Sequence, residues 1–139
     1  MKKKLFAFFL IFLISSFKLL AIEPDIFVQS TVNRASKLLS DNISKEQKIN
    51  ELKKIAKDTV DIRGIGFYSL GAARKNLNAE DKQEFIILFE QYFLKSFSSR
   101  LAEYTNPEID VNNKEVLDKN YTIVNSVLKA TDERPEIKI

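Results

Sequence analysis

The sequence predicts an α+β protein, with helices in the first two thirds of the chain and a small antiparallel sheet at its end. Two observations lead to this class. Apolar residues recur at helical spacing from residue 26 to residue 104, most regularly in a long aromatic stripe. After Pro107 the pattern changes, and the stretch 121–130 is rich in β-branched and aromatic residues, which favour strands. A chain of 139 residues is long enough for one domain.

The first 21 residues have the three parts of a secretory signal peptide. A basic start precedes an apolar run from Leu5 to Phe17, and Ala21 ends the segment before polar residues begin. The alternative is an N-terminal membrane anchor, but the run is short for a full span and Lys18 interrupts it. We therefore expect cleavage after Ala21 and a single domain over residues 22–139.

Removal of this predicted signal peptide changes the charge of the chain. It holds four lysines and no acid, which leaves 18 of the 22 basic residues against 19 acidic ones, a formal charge of −1 instead of +3. A nearly neutral chain gives no electrostatic reason to expect binding to nucleic acid or to anionic headgroups. The chain has no cysteine, so we expect an exported product held together by packing, without disulfides or a lipid-modified cysteine.

Two helices are predicted directly after the signal peptide. Pro24 suits the first turn of a helix, and apolar residues follow it at helical spacing as far as Asp41. Ser44 is placed to cap the second helix, whose apolar residues form a narrow stripe among lysines and glutamates. The lysine-rich side of this helix is expected to be solvated.

The segment from Asp61 to Asn76 predicts a third, short helix. Asp61 is expected to be its N-cap rather than a catalytic group. Gly64 and Gly66 weaken this helix, because glycine costs about 1 kcal/mol per helical position relative to alanine, so tertiary contacts must hold it. The two glycines do not predict a nucleotide loop, because no strand precedes them and no lysine follows in the required position.

The longest predicted helix runs from Asn78 to Asn106. Asn78 is a favourable N-cap, and Glu80 and Asp81 place negative charge in the first turn, where the helix dipole favours it. Every fourth position of one face is large and apolar, namely Phe85, Phe89, Phe93, Phe97 and Leu101. Such a face must be covered by protein or by an apolar ligand.

The end of the chain is predicted to form the sheet. Residues 108–120 are polar and predict turns, whereas 121–130 predicts a strand. In that strand one face carries Tyr121, Ile123 and Val127, and the other carries Val124 and Leu128.

A turn at 132–135 is predicted next, and residues 135–139 predict the start of another strand. A sheet of two or three strands with an exposed edge is marginally stable. We therefore expect the sheet to be incomplete, either because the protein is truncated or because another chain completes it.

Histidine and cysteine are absent from the sequence. The usual general base at neutral pH, thiol nucleophiles and the common transition-metal ligands are therefore missing. No pair of acids stands in an apolar context that would favour acid–base chemistry. The sequence predicts no catalytic residue, no metal site and no cofactor.

The order of these elements resembles the MlaC family of periplasmic phospholipid-binding proteins, also called the toluene-tolerance auxiliary component of an ABC transport system. The resemblance covers about residue 27 to the C-terminus. It rests on a signal peptide, two N-terminal helices, an aspartate followed by a Leu-Gly pair, a capped aromatic helix and a strand. The matching positions are Asp61, Leu70, Gly71, Phe85, Phe89, Tyr104 and Thr122 to Val124.

The chain departs from the family pattern at three places. Ala72, Ala73 and Arg74 follow the Leu-Gly pair, where the family usually has aromatic residues. Asn78 and Ala79 stand where the family commonly has threonine or serine followed by proline. The family also continues past the strand that begins near residue 135, so the resemblance implies a chain that lacks the C-terminal part of an MlaC-like domain.

The resemblance implies a soluble periplasmic shuttle of a Gram-negative bacterium. Its implied partners are phospholipid, an inner-membrane ABC transporter complex and an outer-membrane lipoprotein complex, and its implied role is to maintain outer-membrane lipid asymmetry. The long helix and the N-terminal helices would pack on a curved antiparallel sheet and enclose a lipid cavity. Its candidate lining residues are Phe67, Leu70, Phe85, Phe89, Phe93, Phe97, Val124 and Leu128.

Three alternatives remain open at this point. Each candidate lining residue could belong to an ordinary hydrophobic core. The chain could be a truncated, non-functional remnant of the family. It could also be an exported adaptor that binds another protein through its first helix or its sheet edge.

Overall fold

The computed structural model describes residues 22–131 and 135–139, and the predicted signal peptide, residues 1–21, lies outside them. Most of the predicted turn at 132–135 also lies outside the described residues. Within them are four α-helices, one short 3-10 helix and three strands. Their bounds are α1 Pro24–Ser40, α2 Lys45–Thr59, α3 Ile62–Ser69, the 3-10 helix Gly71–Lys75, α4 Ala79–Leu101, β1 Ile109–Val116, β2 Thr122–Leu128 and β3 Ile137–Lys138. This α+β arrangement with an open sheet confirms the predicted class.

Helices α1 and α2 begin where the sequence predicts them. Pro24 lies in the first turn of α1, which ends at Ser40. The Gln47 amide donates to Ser44 Oγ at 3.2 Å, and the Ser44 amide donates to Gln47 Oε1 at 3.0 Å. This reciprocal capping box pairs two amides at the start of α2, which confirms Ser44 as its cap.

The helices α3 and α4 are also capped by the predicted residues. The Asp61 carboxylate accepts a hydrogen bond from the Gly64 amide at 2.9 Å, so Asp61 is the N-cap of α3. Gly71 has φ +53°, a left-handed conformation that glycine adopts at little cost, and it begins the 3-10 helix after α3. Asn78 caps α4 by accepting a hydrogen bond from the Asp81 amide at 2.8 Å.

Helix α4 is shorter than the sequence predicts. It ends at Leu101, and the prediction that it continues to Asn106 is wrong. Asn106 has φ +51°, and Pro107 follows it. Proline disfavours helical backbone in the residue before it, so Asn106 cannot be helical, and the last five predicted helical positions form the turn into β1 instead.

The strands form an antiparallel sheet in the order β1-β2-β3. Strand β2 lies inside the predicted stretch 121–130, but the prediction that residues 108–120 only form turns is wrong, because they contain β1. The register of β1 against β2 shifts between Val111 and Lys114, as in a β-bulge. Strand β1 is an edge strand with many exposed side chains, which is why its composition is polar.

The side chains of β2 alternate between its two faces as predicted. Val124 and Leu128 belong to the inner face, on which α1 lies, together with the buried Ser126. Ile123 and Val127 belong to the outer face. The sheet therefore presents one face to the helices and leaves the other turned away from them.

Helix α1 makes the main contact between the helices and the sheet. It contacts β1 and β2 on one side and α2 on the other, and α4 packs chiefly against α2 and α3. The Arg34 guanidinium also joins α1 to the Asp58 carboxylate of α2 at 2.7 Å. In the described part of the chain the buried apolar side chains all belong to helices, and they are Leu39, Leu52, Ile55, Ala56, Ile62, Ile86 and Leu94.

Candidate functional site

An apolar cavity of about 110 Å³ lies between α1, the C-terminal end of α4 and the inner face of the sheet. It is lined by nine residues, seven of which are apolar. They are Ala35, Ser36, Leu39, Leu101, Tyr104, Pro107, Ile109, Leu128 and Ile139. A space with so few polar groups does not favour water and suits hydrocarbon.

Helix α1 forms the first wall of this cavity. Ala35 and Leu39 are four residues apart, so they lie on the same face of the helix. The Ser36 hydroxyl, also in this wall, donates to the Pro107 carbonyl oxygen at 3.3 Å. This hydrogen bond satisfies the hydroxyl and attaches α1 to the turn between α4 and β1.

The sheet forms the second wall. Ile109 of β1 is directly opposite Leu128 of β2, so their side chains share the inner face. Ile139 exchanges two backbone hydrogen bonds with Ser126, at 2.9 and 2.8 Å. Since Ile139 is 64% exposed, it forms the rim of the cavity rather than its floor.

Four of the predicted lining residues form an aromatic ladder elsewhere on α4. The ring centroids are 5.8 Å apart for Phe85 and Phe89, 6.2 Å for Phe89 and Phe93, and 5.5 Å for Phe93 and Phe97. Phe89, Phe93 and Phe97 pack against a buried cluster that joins α2, α3 and α4. The ladder is half-buried and covers the helical core.

Of the other four predicted lining residues, Leu128 lines the cavity, whereas Phe67, Leu70 and Val124 lie outside it. Phe67 is on α3, where the Arg63 guanidinium carbon lies 5.2 Å from its ring centroid. Leu70 follows the end of α3, and Val124 is on the inner face of β2. All four are partly buried, and the contact of any of them with a lipid stays a prediction.

Sequence reasoning did not select Ala35, Leu39, Leu101 and Ile109 as lining residues. The first three belong to apolar helical patterns, so the sequence signals that they are covered. Local spacing does not predict that α1 and the end of α4 meet at one cavity. Ile109 lies in the segment that was expected to form turns.

Lys114 joins the start of α1 to β1 beside an open groove of about 450 Å³ between these two elements. Its ammonium lies 2.6 Å from a Glu23 carboxylate oxygen and 2.7 Å from an Asp25 oxygen. The hydrogen bond from Lys114 lowers the pKa of Asp25. The hydrogen bonds to Asp25 and then to Glu23 raise the pKa of Lys114.

Replacing Lys114 by methionine is expected to lower the melting temperature slightly at pH 7, because the ion pairs are exposed. Asp25 has a lowered pKa, so its stabilisation is present above the ordinary value of 3.8 and is lost as the pH falls through the lowered pKa. The raised pKa of Lys114 keeps its stabilisation present below 10.5 and removes it as the pH rises through the raised value. The difference in melting temperature between wild type and Lys114→Met should therefore shrink at acid pH.

Thermal melts of both proteins at pH 7 and pH 3 measure this difference. Lys119→Met is the matched control, because Lys119 is an exposed lysine for which the described residues provide no ion pair. It should melt like wild type at both pH values. A difference for Lys114→Met that stays unchanged at pH 3 would show that the ion pairs are not its source.

Lys129 joins the two strands next to the cavity. Its ammonium lies 3.3 Å from carboxylate oxygens of Glu108 and Asp110, and its pKa is raised, first by the hydrogen bond to Glu108. Its backbone amide donates to the Glu108 carbonyl oxygen at 2.9 Å. These contacts hold the start of β1 against the end of β2, where Ile109 and Leu128 line the cavity.

The lining of the cavity is mainly apolar, so the site is suited to bind apolar groups. In residues 22–131 and 135–139 no three acidic residues are grouped so that they could hold a metal ion. None of the described helices is both long enough and apolar enough to cross a membrane.

The fold and the cavity define a small α+β protein in which a helix lies across an antiparallel sheet and encloses apolar space. Residues 29–139 match the model of a family described as MlaC protein. The chain belongs to the MlaC family, which confirms the resemblance found in the sequence. Members of this family are periplasmic phospholipid-binding proteins with a role in phospholipid transport. Comparison with the curated proteins and with the solved structures found no match.

Proposed function

We propose that this protein carries phospholipid through the periplasm between an inner-membrane ABC transporter complex and an outer-membrane lipoprotein complex, and so maintains outer-membrane lipid asymmetry. Membership in a family of phospholipid transport proteins is the observation that carries the proposal. The apolar cavity between α1 and the sheet supports it. In this function the protein binds and releases lipid, and it catalyses no reaction.

Acyl chains would enter the cavity that Leu39, Ile109 and Leu128 line. Each methylene that leaves water for an apolar site contributes about 0.8 kcal/mol, so such a site binds lipid without any charged group. The cavity volume of about 110 Å³ is below the range of about 300–1,000 Å³ usual for ligand sites. Lipid binding therefore requires the walls to separate. Displacement of Ile139 costs least, because its side chain is largely exposed at the rim.

Residues 1–21 would serve as a cleavable signal peptide in this function, and residues 22–139 would act as one domain. A basic start and an apolar run that is short for a membrane span support this assignment. The periplasmic location of the family agrees with it.

Protein recovered from a Gram-negative periplasm is expected to release phospholipid in native mass spectrometry. Folded protein that is free of lipid would contradict the proposal. A non-functional remnant would show no cooperative thermal transition. An adaptor would fold without lipid and would retain one stable protein partner during purification.

Replacing Ala35 by leucine is expected to fill the cavity and to reduce the amount of bound lipid. Its three added carbons take the place of about as many lipid methylenes, at about 0.8 kcal/mol each, so affinity should fall about tenfold or more. The melting temperature should not fall, because the new side chain occupies existing apolar space. Native mass spectrometry and thermal melts measure the two effects.

Ala72→Leu is the matched control, because it adds the same atoms at an exposed position of the 3-10 helix. It should retain lipid at the wild-type level. Equal lipid content in wild type and Ala35→Leu would show that lipid binds outside the cavity.

A further inference from the structure

One face of α4 is turned away from the other described helices and strands and is apolar at its centre. Its apolar residues are substantially exposed: Ile87 by 49%, Leu88 by 55% and Tyr92 by 69%. The whole surface, which we call the outer face of α4, consists of Glu84, Ile87, Leu88, Gln91, Tyr92 and Lys95, all of them exposed. Exposed apolar groups that are grouped on one surface are a common mark of an interface.

The opposite side of α4 is the one that packs on the protein. Ile86 is buried there, and Leu94 is buried about a quarter turn from the centre of the outer face; α2 and α3 pack against α4. In the part of the chain that the structure describes, neither Glu84 nor Lys95 has an ion-pair partner. The outer face thus has an acidic end, an apolar centre and a basic end, and all three are exposed in the described part of the chain.

The residues of the outer face are arranged so that two such helices can pair antiparallel. Glu84, Leu88, Gln91 and Lys95 follow each other at intervals of four, three and four residues, so they form one line along α4 with the charged residues at its two ends. The pattern is symmetric about its centre, between Phe89 and Glu90. A two-fold axis at that point places each acidic end against a basic end.

We propose that the outer face of α4 binds the same face of a second copy of this chain, with the two helices antiparallel. Glu84 of one copy then lies opposite Lys95 of the other, and the symmetry repeats this ion pair. Ile87 lies opposite Tyr92, and Leu88 lies opposite Gln91, so the apolar centre is covered. A two-fold interface uses one patch twice and therefore needs a patch that is complementary to itself, as this one is.

The acidic residues at one end of the outer face and its short extent along α4 indicate a weak contact between proteins rather than a contact with a membrane. Glu80, Asp81 and Glu84 at the acidic end oppose contact with an anionic membrane surface. A shallow depression beside the basic end is lined by Tyr92, Lys95 and Arg100. In the antiparallel pair Arg100 is therefore a second cation, and it lies near Glu80 of the other copy. The face extends about 16 Å along the helix, so the contact belongs with weak and transient interfaces. The dimer should therefore depend on protein concentration and weaken in high salt.

Charge reversal tests the pairing. Sedimentation velocity of the purified protein over a range of concentrations should show a monomer–dimer equilibrium. Glu84→Lys places lysine opposite Lys95, and Lys95→Glu places glutamate opposite Glu84, so either variant alone should raise the dimer dissociation constant about tenfold or more. The double variant should return it toward wild type.

An equimolar mixture of the two single variants gives the sharpest result. In a mixed dimer every opposed pair is again of opposite charge, so dimers should form in the mixture at concentrations at which either variant alone is mostly monomeric. Lys119→Glu is the matched control, because it makes the same charge change on the β1–β2 loop and should leave dimerisation unchanged. Circular dichroism should show all variants to be folded, because every substituted position is exposed.

Monomeric wild-type protein at all concentrations would overturn the proposal. So would a dimer that Glu84→Lys leaves unchanged, or a mixture of the two single variants that stays monomeric. All of these outcomes are independent of lipid binding.

Discussion

Replacing Leu94 by alanine is expected to lower the free energy of unfolding by about 2–5 kcal/mol. Leu94 is only 7% exposed and forms a buried cluster with Ala56 of α2 and Ile62 of α3, against which three phenylalanines of α4 pack. Truncation therefore removes transfer energy and leaves a cavity where three helices meet. A loss of this size is a large fraction of the total stability of a small domain.

Leu88→Ala is the matched control, because it makes the same chemical change on the same helix at a side chain that is 55% exposed. Its cost should stay below about 1 kcal/mol, as is usual at exposed sites. Urea unfolding followed by circular dichroism measures both variants, at a protein concentration low enough to avoid association. Equal losses at the two positions would mean that α4 does not bury the side that contains Leu94.

The helix starts could be predicted from the sequence because their causes are local. Ser44, Asp61 and Asn78 accept hydrogen bonds from amides three residues ahead, so each cap depends on a few neighbouring positions. The end of α4 was misplaced for an equally local reason. The apolar pattern continues through Tyr104, but the turn before Pro107 stops the helix earlier.

The aromatic stripe shows where periodicity is not sufficient. Successive residues are about 100° apart around a helix, so positions four apart drift by about 40° at each step. The four phenylalanines from Phe85 to Phe97 therefore turn gradually around α4, and no single neighbour can cover all of them. Ile86 and Leu94 are the apolar side chains on α4 that α2 and α3 bury most completely. The stripe predicted which helix is central, but not which of its residues are buried.

The cavity could not be predicted from the sequence, because contacts between distant segments form it. Leu39 and Leu128 meet only after α1 has been placed on the sheet. Strand β1 depends on the same placement. It is polar, and the carboxylates of Glu23 and Asp25 pair with Lys114 on it across a long sequence separation.

Gly66→Leu is expected to lower the free energy of unfolding by about 1–3 kcal/mol, the usual cost of forcing extra atoms into a packed core. Gly66 is buried where α3 crosses α4, and a Cβ atom at this position would lie 2.9 Å from Ile86 Cδ1 and 3.0 Å from Phe89 Cδ1. Gly66→Ala should cost less, because the gain in helix propensity of about 1 kcal/mol offsets part of the overlap. A leucine side chain needs more space than movement of Ile86 or Phe89 can provide, so α3 and α4 must move apart.

A double variant separates this overlap from other effects of the larger side chain. Ile86→Ala alone should destabilise by about 2–5 kcal/mol, but with Gly66→Leu it frees space for the new side chain. The combined loss should therefore be smaller than the sum of the two single losses, because the residues are in contact. Urea unfolding measures all three variants, and Ala73→Leu, at an exposed position of the 3-10 helix, is the control that should stay near wild type. Strictly additive losses would show that Gly66 does not lie against Ile86, and the close crossing of α3 over α4 would then have to be revised.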